Sequence, residues 1–173
     1  HLEVALSEHP DIEEVVVFDR SQDAADVVTS MAGDRATRIA SSPTDAVDGA
    51  TIAITTITVP LDPKLDCRNT DENALLLPVD YDDAMATVAF HEAVTYSVDD
   101  LGQYGSVAGR KYFFDFPEPV THLAQVVAGE FEVPENGRRM FLNMGIAMND
   151  IALSSLVLDR ALERGVGTTV EFP

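Results

Sequence analysis

The chain has 173 residues, 46% of them hydrophobic, and 30 acidic against 11 basic side chains give it a formal net charge of −19 at pH 7. That length and apolar content suffice for one sizeable core, and the charge argues against a polyanion such as nucleic acid as a partner. No apolar run reaches the roughly 18–20 residues that cross a bilayer, no signal-peptide pattern opens the chain, and the single cysteine, Cys67, rules out an internal disulfide and fits a reducing cytoplasm.

With one cysteine and four scattered histidines, a zinc site is not expected. The acids are spread through every segment rather than gathered in a tail, and lysine occurs only at Lys64 and Lys111. This reads as a solvated acidic shell. Such a surface repels itself in dilute buffer and is tolerated where salt screens it, so a protein adapted to high salt is expected.

In chain order, Leu2–Leu6 reads as a short helix beginning at the first residue and halted by His9-Pro10, because proline disfavours helix at the residue before it. Ile12–Arg20, IEEVVVFDR, places a strand at Val15–Phe18, apolar enough to be buried on both faces of a parallel sheet, and ends it in Asp19. Ser21 is positioned to cap a helix over Gln22–Met31, closed by Gly33. Thr37–Ala40 is a short strand, Ser42-Pro43-Thr44-Asp45 opens a small helix ending at Gly49, and Ala50–Thr58, ATIAITTIT, is a further β-rich run. Strand, helix, strand, helix, strand at this spacing predicts a doubly wound α/β fold.

Asp62–Asn73 reads as a polar connection in which Cys67 is an incidental thiol. Ala74–Val79 is a buried strand followed by Asp80-Tyr81-Asp82-Asp83. Ala84–Ala93 reads as a helix carrying a structural His91, and Val94–Val98 as a strand closed by Asp99-Asp100. Gly102–Pro119 reads as irregular and aromatic. Thr121–Ala128 is a predicted helix, Arg138–Asn143 a strand, and Ile146–Arg164 a long closing helix stopped by Gly165. No internal repeat or low-complexity segment interrupts the chain.

Ligands of open α/β sheets bind at the carboxyl ends of the strands, which is where Asp19, Asp80 and Asp99-Asp100 fall. An acid ending the second strand of a dinucleotide-binding unit can bond the ribose hydroxyls; Asp19 can equally be a turn acid preceding a helix cap. Asp80 could be the N-cap of a helix at Ala84. Asp82, Asp83, Asp99 and Asp100 would raise its pKa if they crowd it, and are otherwise turn and cap acids.

Taken together, HLEVALSEHPDIEEVVVFDRS, DGATIAITTIT, VDYDD and FLNMGIAMNDIALSSLVLDRALERGVGT resemble the ornithine cyclodeaminase/mu-crystallin family over nearly the whole chain. The most specific piece is Asn143-Met144-Gly145 through Asp150. That family includes ornithine cyclodeaminases, archaeal alanine dehydrogenases, ketimine reductases and opine-type amino-acid dehydrogenases. The resemblance implies a Rossmann-like, doubly wound, mostly parallel sheet over residues 1–145. Residues 146–173 would form a C-terminal helix and tail returning toward a substrate and dimerisation domain.

The resemblance also implies an NAD cofactor, with NADP possible, no metal, an amino or imino acid substrate and a homodimer or higher homo-oligomer. Asp19 would bind the ribose, with Arg20 against the adenine and Ser21 beside them. Thr55 and the turn at Asn143 and Gly145 would lie along the dinucleotide. Asp80 matches the catalytic aspartate, which takes a proton from the substrate amine or places the water or amine that attacks the imine. Pro78-Val79 and Tyr81-Asp82-Asp83 replace the glycines around that aspartate. This shifts the expectation from the ornithine-specific reaction to a less characterised branch of the family, some of whose members are associated with tyramine oxidase. His122 and Gln125 stand where the family often has acids and take no role.

The family's first strand and glycine-rich phosphate loop lie immediately before a helix beginning like His1-Leu2-Glu3, and its substrate-holding lysine and arginine lie further upstream. None of these is in the sequence. The first strand normally sits between the second and the fourth, so a gap in the middle of the sheet is expected, in a chain that is part of a longer enzyme. The alternatives are a non-catalytic, mu-crystallin-like binding protein for a nucleotide or thyroid hormone, and an inactive fragment stable only on oligomerising.

Overall fold

A computed structural model describes residues 2–108 and 112–171. The first half alternates as α1 (Leu2–Glu8), β1 (Glu14–Val17), α2 (Gln22–Ser30), β2 (Ala36–Ile39), α3 (Pro43–Val47) and β3 (Ile52–Thr55). There follow β4 (Leu75–Pro78), α4 (Thr87–Glu92), β5 (Thr95–Val98), α5 (Leu101–Val107), β6 (Thr121–His122), α6 (Leu123–Val127), β7 (Arg139–Leu142) and α7 (Ala147–Arg164). All pairings between these strands are parallel. The fold is Rossmann-like α/β, as expected from the sequence.

The strands form two sheets, one of order β1-β2 and one of order β3-β4-β7-β5-β6. The predicted gap lies between them. The carbonyls of Glu13 and Val17 accept from Ala36 N and Ala40 N of the β2 segment, and those of Thr51 and Thr55 accept from Leu75 N and Val79 N beside β4. Because parallel strands alternate which side each residue's peptide groups face, Glu14 and Val16 of β1, and Ile52 and Ile54 of β3, turn theirs to the open edges.

The five-stranded sheet holds the main core, built around Leu76, Phe90, Val98, Met140 and Leu142, all almost wholly buried. Phe90 meets Tyr96 edge-on at 5.1 Å and Phe116 at 4.3 Å between ring centroids. The two-stranded sheet has a small core of Leu6, Val15 and Ala32. Gly137 shows a close approach that only glycine permits. Its φ is +96°, and a Cβ there would sit 2.4 Å from Val94 Cγ1.

Several expectations change. β1 is not buried on both faces: Val15 is buried, Val16 and Val17 are half-buried, and Glu14 is exposed, because one edge of the strand has no neighbour among the described residues. The segment read as irregular begins with α5, where the Asp100 side chain accepts from Gln103 N at 2.7 Å and Tyr104 is buried. The helix expected from Ala84 starts only at Thr87, since Leu65 and Met85 form a parallel bridge. Thr121-His122 is a strand that precedes a shorter helix. The polar connection contributes to the core through buried Leu65 and Cys67. The expected helix start at His1 and residues 109–111 lie outside the described residues.

Helix α7 ends as predicted at Gly165, which adopts left-handed φ +61°. It does not close the core. Met148, Ile151, Leu153, Leu156, Leu158 and Leu162 are 54–72% exposed, and none of its residues is buried. Their apolar side chains run round more than one side of the helix, a pattern that suits burial against several neighbours.

Candidate functional site

The carboxyl ends of β3, β4, β7 and β5 converge on one polar edge. Thr55 ends β3 and Asp80 stands two residues past β4, tied together by the bond from Val79 N to Thr55 O at 2.9 Å. From this frame Thr55 Oγ1 donates to Asp80 Oδ1 at 3.2 Å, and Ile57 N donates to Asp80 Oδ2 at 3.0 Å. Thr55 and Asp80 are both buried. Burial pushes the Asp80 carboxyl above the ordinary aspartate value; the bonds from Ile57 and Thr55 oppose that, and Asp83 adds to it. A carboxyl group raised by burial toward neutrality is the kind of group that can accept and donate a proton.

Asp80 does not cap α4, whose N-cap is Ala86 with no side-chain bond. Its loop is instead anchored on both sides. Tyr81, at φ +59°, stacks on Phe113 at 5.7 Å. The Asp82 carboxylate accepts from Phe113 N at 3.4 Å, and its carbonyl accepts from Lys64 Nζ. Leu61 N donates to Asp83 O at 2.9 Å.

At the end of β7, Asn143 N donates to Pro78 O at 2.9 Å, so this strand end is fastened beside Asp80. Met144 N and Gly145 N both donate to Asp99 Oδ2 at 2.6 Å, and Gln103 Nε2 donates to Gly145 O at 2.9 Å. Gly145 has φ +78°, and a Cβ there would meet nothing within 4 Å, so the turn faces open space. A left-handed, unobstructed turn lets a ligand approach the backbone closely.

The structure therefore brings Thr55, Asp80, Asn143 and Gly145 to one edge. Asp19, Arg20 and Ser21 lie apart, at the end of β1 across the gap. Asp19 Oδ1 accepts from Ser21 N at 2.7 Å, and Ser21 Oγ accepts from Ala24 N at 3.4 Å to cap α2. Asp19, Arg20 and Ser21 are all exposed. Of the four further acids, Asp83 is the one whose charge acts on Asp80, while Asp82 anchors the Asp80 loop to Phe113, Asp99 holds the Met144-Gly145 turn and Asp100 caps α5. The grip of Asp99 and Gln103 on the Met144-Gly145 turn was not anticipated. Its signal was the Val98-Asp99-Asp100 strand ending, where the first acid was free to reach sideways because the second caps α5.

The remaining candidates are structural. The His91 ring bonds Asp115 O at 2.9 Å, and burial pushes the Cys67 thiol up to about 11. Among the described residues no group of three His, Cys, Asp or Glu side chains could hold a metal, and no helix is long and apolar enough to cross a membrane.

Fold and site thus define the class: a parallel, Rossmann-like α/β unit with a buried carboxylate at the carboxyl edge of its sheet. No family model matches the chain. It is 27% identical over 177 aligned residues to the Delta(1)-pyrroline-2-carboxylate reductase of Bacillus cereus, covering 94% of this chain and 54% of that protein. Among solved structures it resembles a Thermococcus litoralis Delta(1)-pyrroline-2-carboxylate reductase in complex with NADH and L-proline, with TM-score 0.76 and 21% identity over 96% of this chain and 56% of that one. A probable ornithine cyclodeaminase from Bordetella pertussis Tohama I matches with TM-score 0.75 and 22% identity, over 96% of this chain and 57% of its own. The chain spans about half the length of the relatives it matches. These likenesses accord with the resemblance seen in the sequence: the proteins matched are a Delta(1)-pyrroline-2-carboxylate reductase and a probable ornithine cyclodeaminase.

Proposed function

We propose that this chain is the nucleotide-binding part of an NAD-dependent oxidoreductase that works at the α-carbon of an amino or imino acid. The observation that carries the reading is the buried Thr55–Asp80 pair, set beside the open Asn143–Gly145 turn at one carboxyl edge. The donor set fits a dinucleotide at both ends. Asp19 suits the adenosine ribose, with Arg20 and Ser21 beside it, and an acid there favours NAD over NADP by repelling a 2′-phosphate. Thr55, Asn143 and Gly145 suit the nicotinamide end. The glycine-rich phosphate loop of such sites is not found in these 173 residues, and the gap between β1 and β3 is where a strand carrying one would lie.

When bound, the cofactor supplies hydride exchange with the substrate α-carbon. Asp80 handles the proton: in the oxidative direction it takes one from the substrate amine, and in the reductive direction it returns it. Thr55 holds Asp80 Oδ1 and Ile57 N holds Oδ2, so the carboxylate keeps one orientation through both steps. Burial of the pair excludes water from that proton. In this reading residues 1–145 form the nucleotide domain, and 146–173, with the exposed α7, turn toward a substrate domain of a homo-oligomeric enzyme. The acidic shell reflects a cytoplasm of high salt.

The test is titration of NADH, then NADPH, in molar potassium chloride. Saturable binding of NADH, tighter than NADPH and weakened in Asp19→Ala, is the expected outcome. Absence of NADH binding in any form of the protein overturns the reading. Binding without turnover of any amino or imino acid would move it to a non-catalytic, mu-crystallin-like role.

A further inference from the structure

We propose that Asp99 is a positioning residue for the cofactor end of the site, acting through the Met144-Gly145 turn with Gln103 as its counterpart. The inference rests on the dinucleotide reading above. Asp99 is buried, at 5% exposure, and sits just past β5, two strands away from β4 across β7. It touches none of the groups assigned to the proton.

One carboxylate oxygen takes two consecutive backbone N–H groups, each at 2.6 Å. Charge-assisted bonds of that kind are stronger than neutral ones, and two on adjacent amides fix the peptide between them. Gln103 Nε2 then holds the Gly145 carbonyl at 2.9 Å. Gly145, which at φ +78° could otherwise sample many conformations, is gripped at its N–H and at its C=O.

The grip is itself braced. Asp100 Oδ1 accepts from Gln103 N at 2.7 Å and caps α5, which aims the Gln103 side chain. On the opposite side Asn143 N is bonded to Pro78 O. The turn is thus suspended between the Asp80 strand end and the Asp99 strand end. Its position relative to Asp80 is set by Asp99, and a cofactor lying on it would be placed accordingly.

The experiment compares Asp99→Ala, Asp99→Asn and Gln103→Ala with wild type by amide NMR and by NADH titration. The core variant Leu76→Val serves as a general destabilisation control. In Asp99→Ala the Met144 and Gly145 amide signals shift and lose exchange protection, while those of β7 keep theirs, and NADH binds about tenfold more weakly, as expected for stranding the buried Met144 donor and freeing the turn. Asp99→Asn retains an acceptor and recovers most of the affinity; Gln103→Ala loses less than Asp99→Ala, and Leu76→Val binds as wild type. If Asp99→Ala does not fold, Asp99→Asn and Gln103→Ala decide. Amides that do not move, NADH affinity unchanged in the folded Asp99 and Gln103 variants, or an equal loss in Leu76→Val each overturn the proposal. Absence of NADH binding both in this chain and in a longer form carrying the phosphate loop overturns the dinucleotide reading itself, and the positioning role with it.

Discussion

The two sheets of this molecule are built from similar sequence and end up in different condition. ATIAITTIT and IEEVVVFDR are both β-branched runs, yet β3 joins a five-stranded sheet over a large core, while β1, among the described residues, pairs with β2 alone over Leu6, Val15 and Ala32. β2 is exposed at every position. The difference shows that strand propensity supplies an element, whereas burial and a second neighbour supply its stability. It also divides the candidate site: the candidates for proton handling sit on the well-supported sheet, and the ribose-binding candidates sit on the weakly supported one.

The largest effect that could break this comparison is in the cores. Phe90→Ala is expected to cost about 3–5 kcal/mol, and Leu6→Ala no more than about 2 kcal/mol, by urea unfolding. Equal costs would mean the small sheet is as cooperative as the large one. Next, Asp80→Asn in the intact enzyme should lower kcat by at least about 100-fold with little change in NADH affinity, read by steady-state kinetics and titration. A variant that turns over normally removes Asp80 from the chemistry.

The two regions should also respond to pH with opposite sign. Asp80 and Asp99 are raised above the ordinary 3.8 chiefly by burial. The folded state therefore holds their protons longer than the unfolded chain does, and the large sheet loses stability as pH rises from 3.8 through the raised values. Asp45, beside β2, is held down at about 2, first by the Ser41 N–H and hydroxyl and then by Arg38. Its contribution is present above 3.8 and lost as pH falls toward 2. Melting curves across this range should flatten on their rising-pH side in Asp80→Asn and on their low-pH side in Asp45→Asn.

Added salt sharpens the contrast further. With a net charge of −19, molar potassium chloride should raise Tm and slow amide exchange first in β1 and β2, whose core of Leu6, Val15 and Ala32 is the smaller one resisting self-repulsion. Equal stability in dilute buffer and molar salt would remove the high-salt reading. Smallest of all, Arg68→Ala breaks an exposed pair with Glu92 at 2.8 Å and should leave Tm unchanged within error, since exposed ion pairs contribute little.

Much of this was legible in the residues. The β-branched runs, the Ser21 and Ser42 caps and the stop at Gly165 are local signals, and each fell where the local chemistry placed it. The gap between β1 and β3 followed from the family resemblance, which places between them a first strand that the sequence lacks. The α5 helix was hidden because Gly102 and Gly105 weaken helix propensity, and only the Asp100 cap with Tyr104 buried beneath it makes the turn hold. Leu65 and Cys67 looked like loop residues because their neighbours are polar; their burial comes from pairing with the Met85 segment, distant in sequence.

Sequence alone determined the α/β fold class and the acids at the strand ends, because these depend on periodicity, caps and residue type at short range, while the choice of Asp80 as the residue to test came from the family resemblance. Tertiary structure alone decided which acid does what. Asp80 turns to Thr55 and Ile57 rather than to a helix cap, Asp99 reaches across to Met144 and Gly145, and Asp19 stays on an exposed turn. A carboxylate takes the donors that packing brings within about 3 Å, and those donors come from strands far away in the chain.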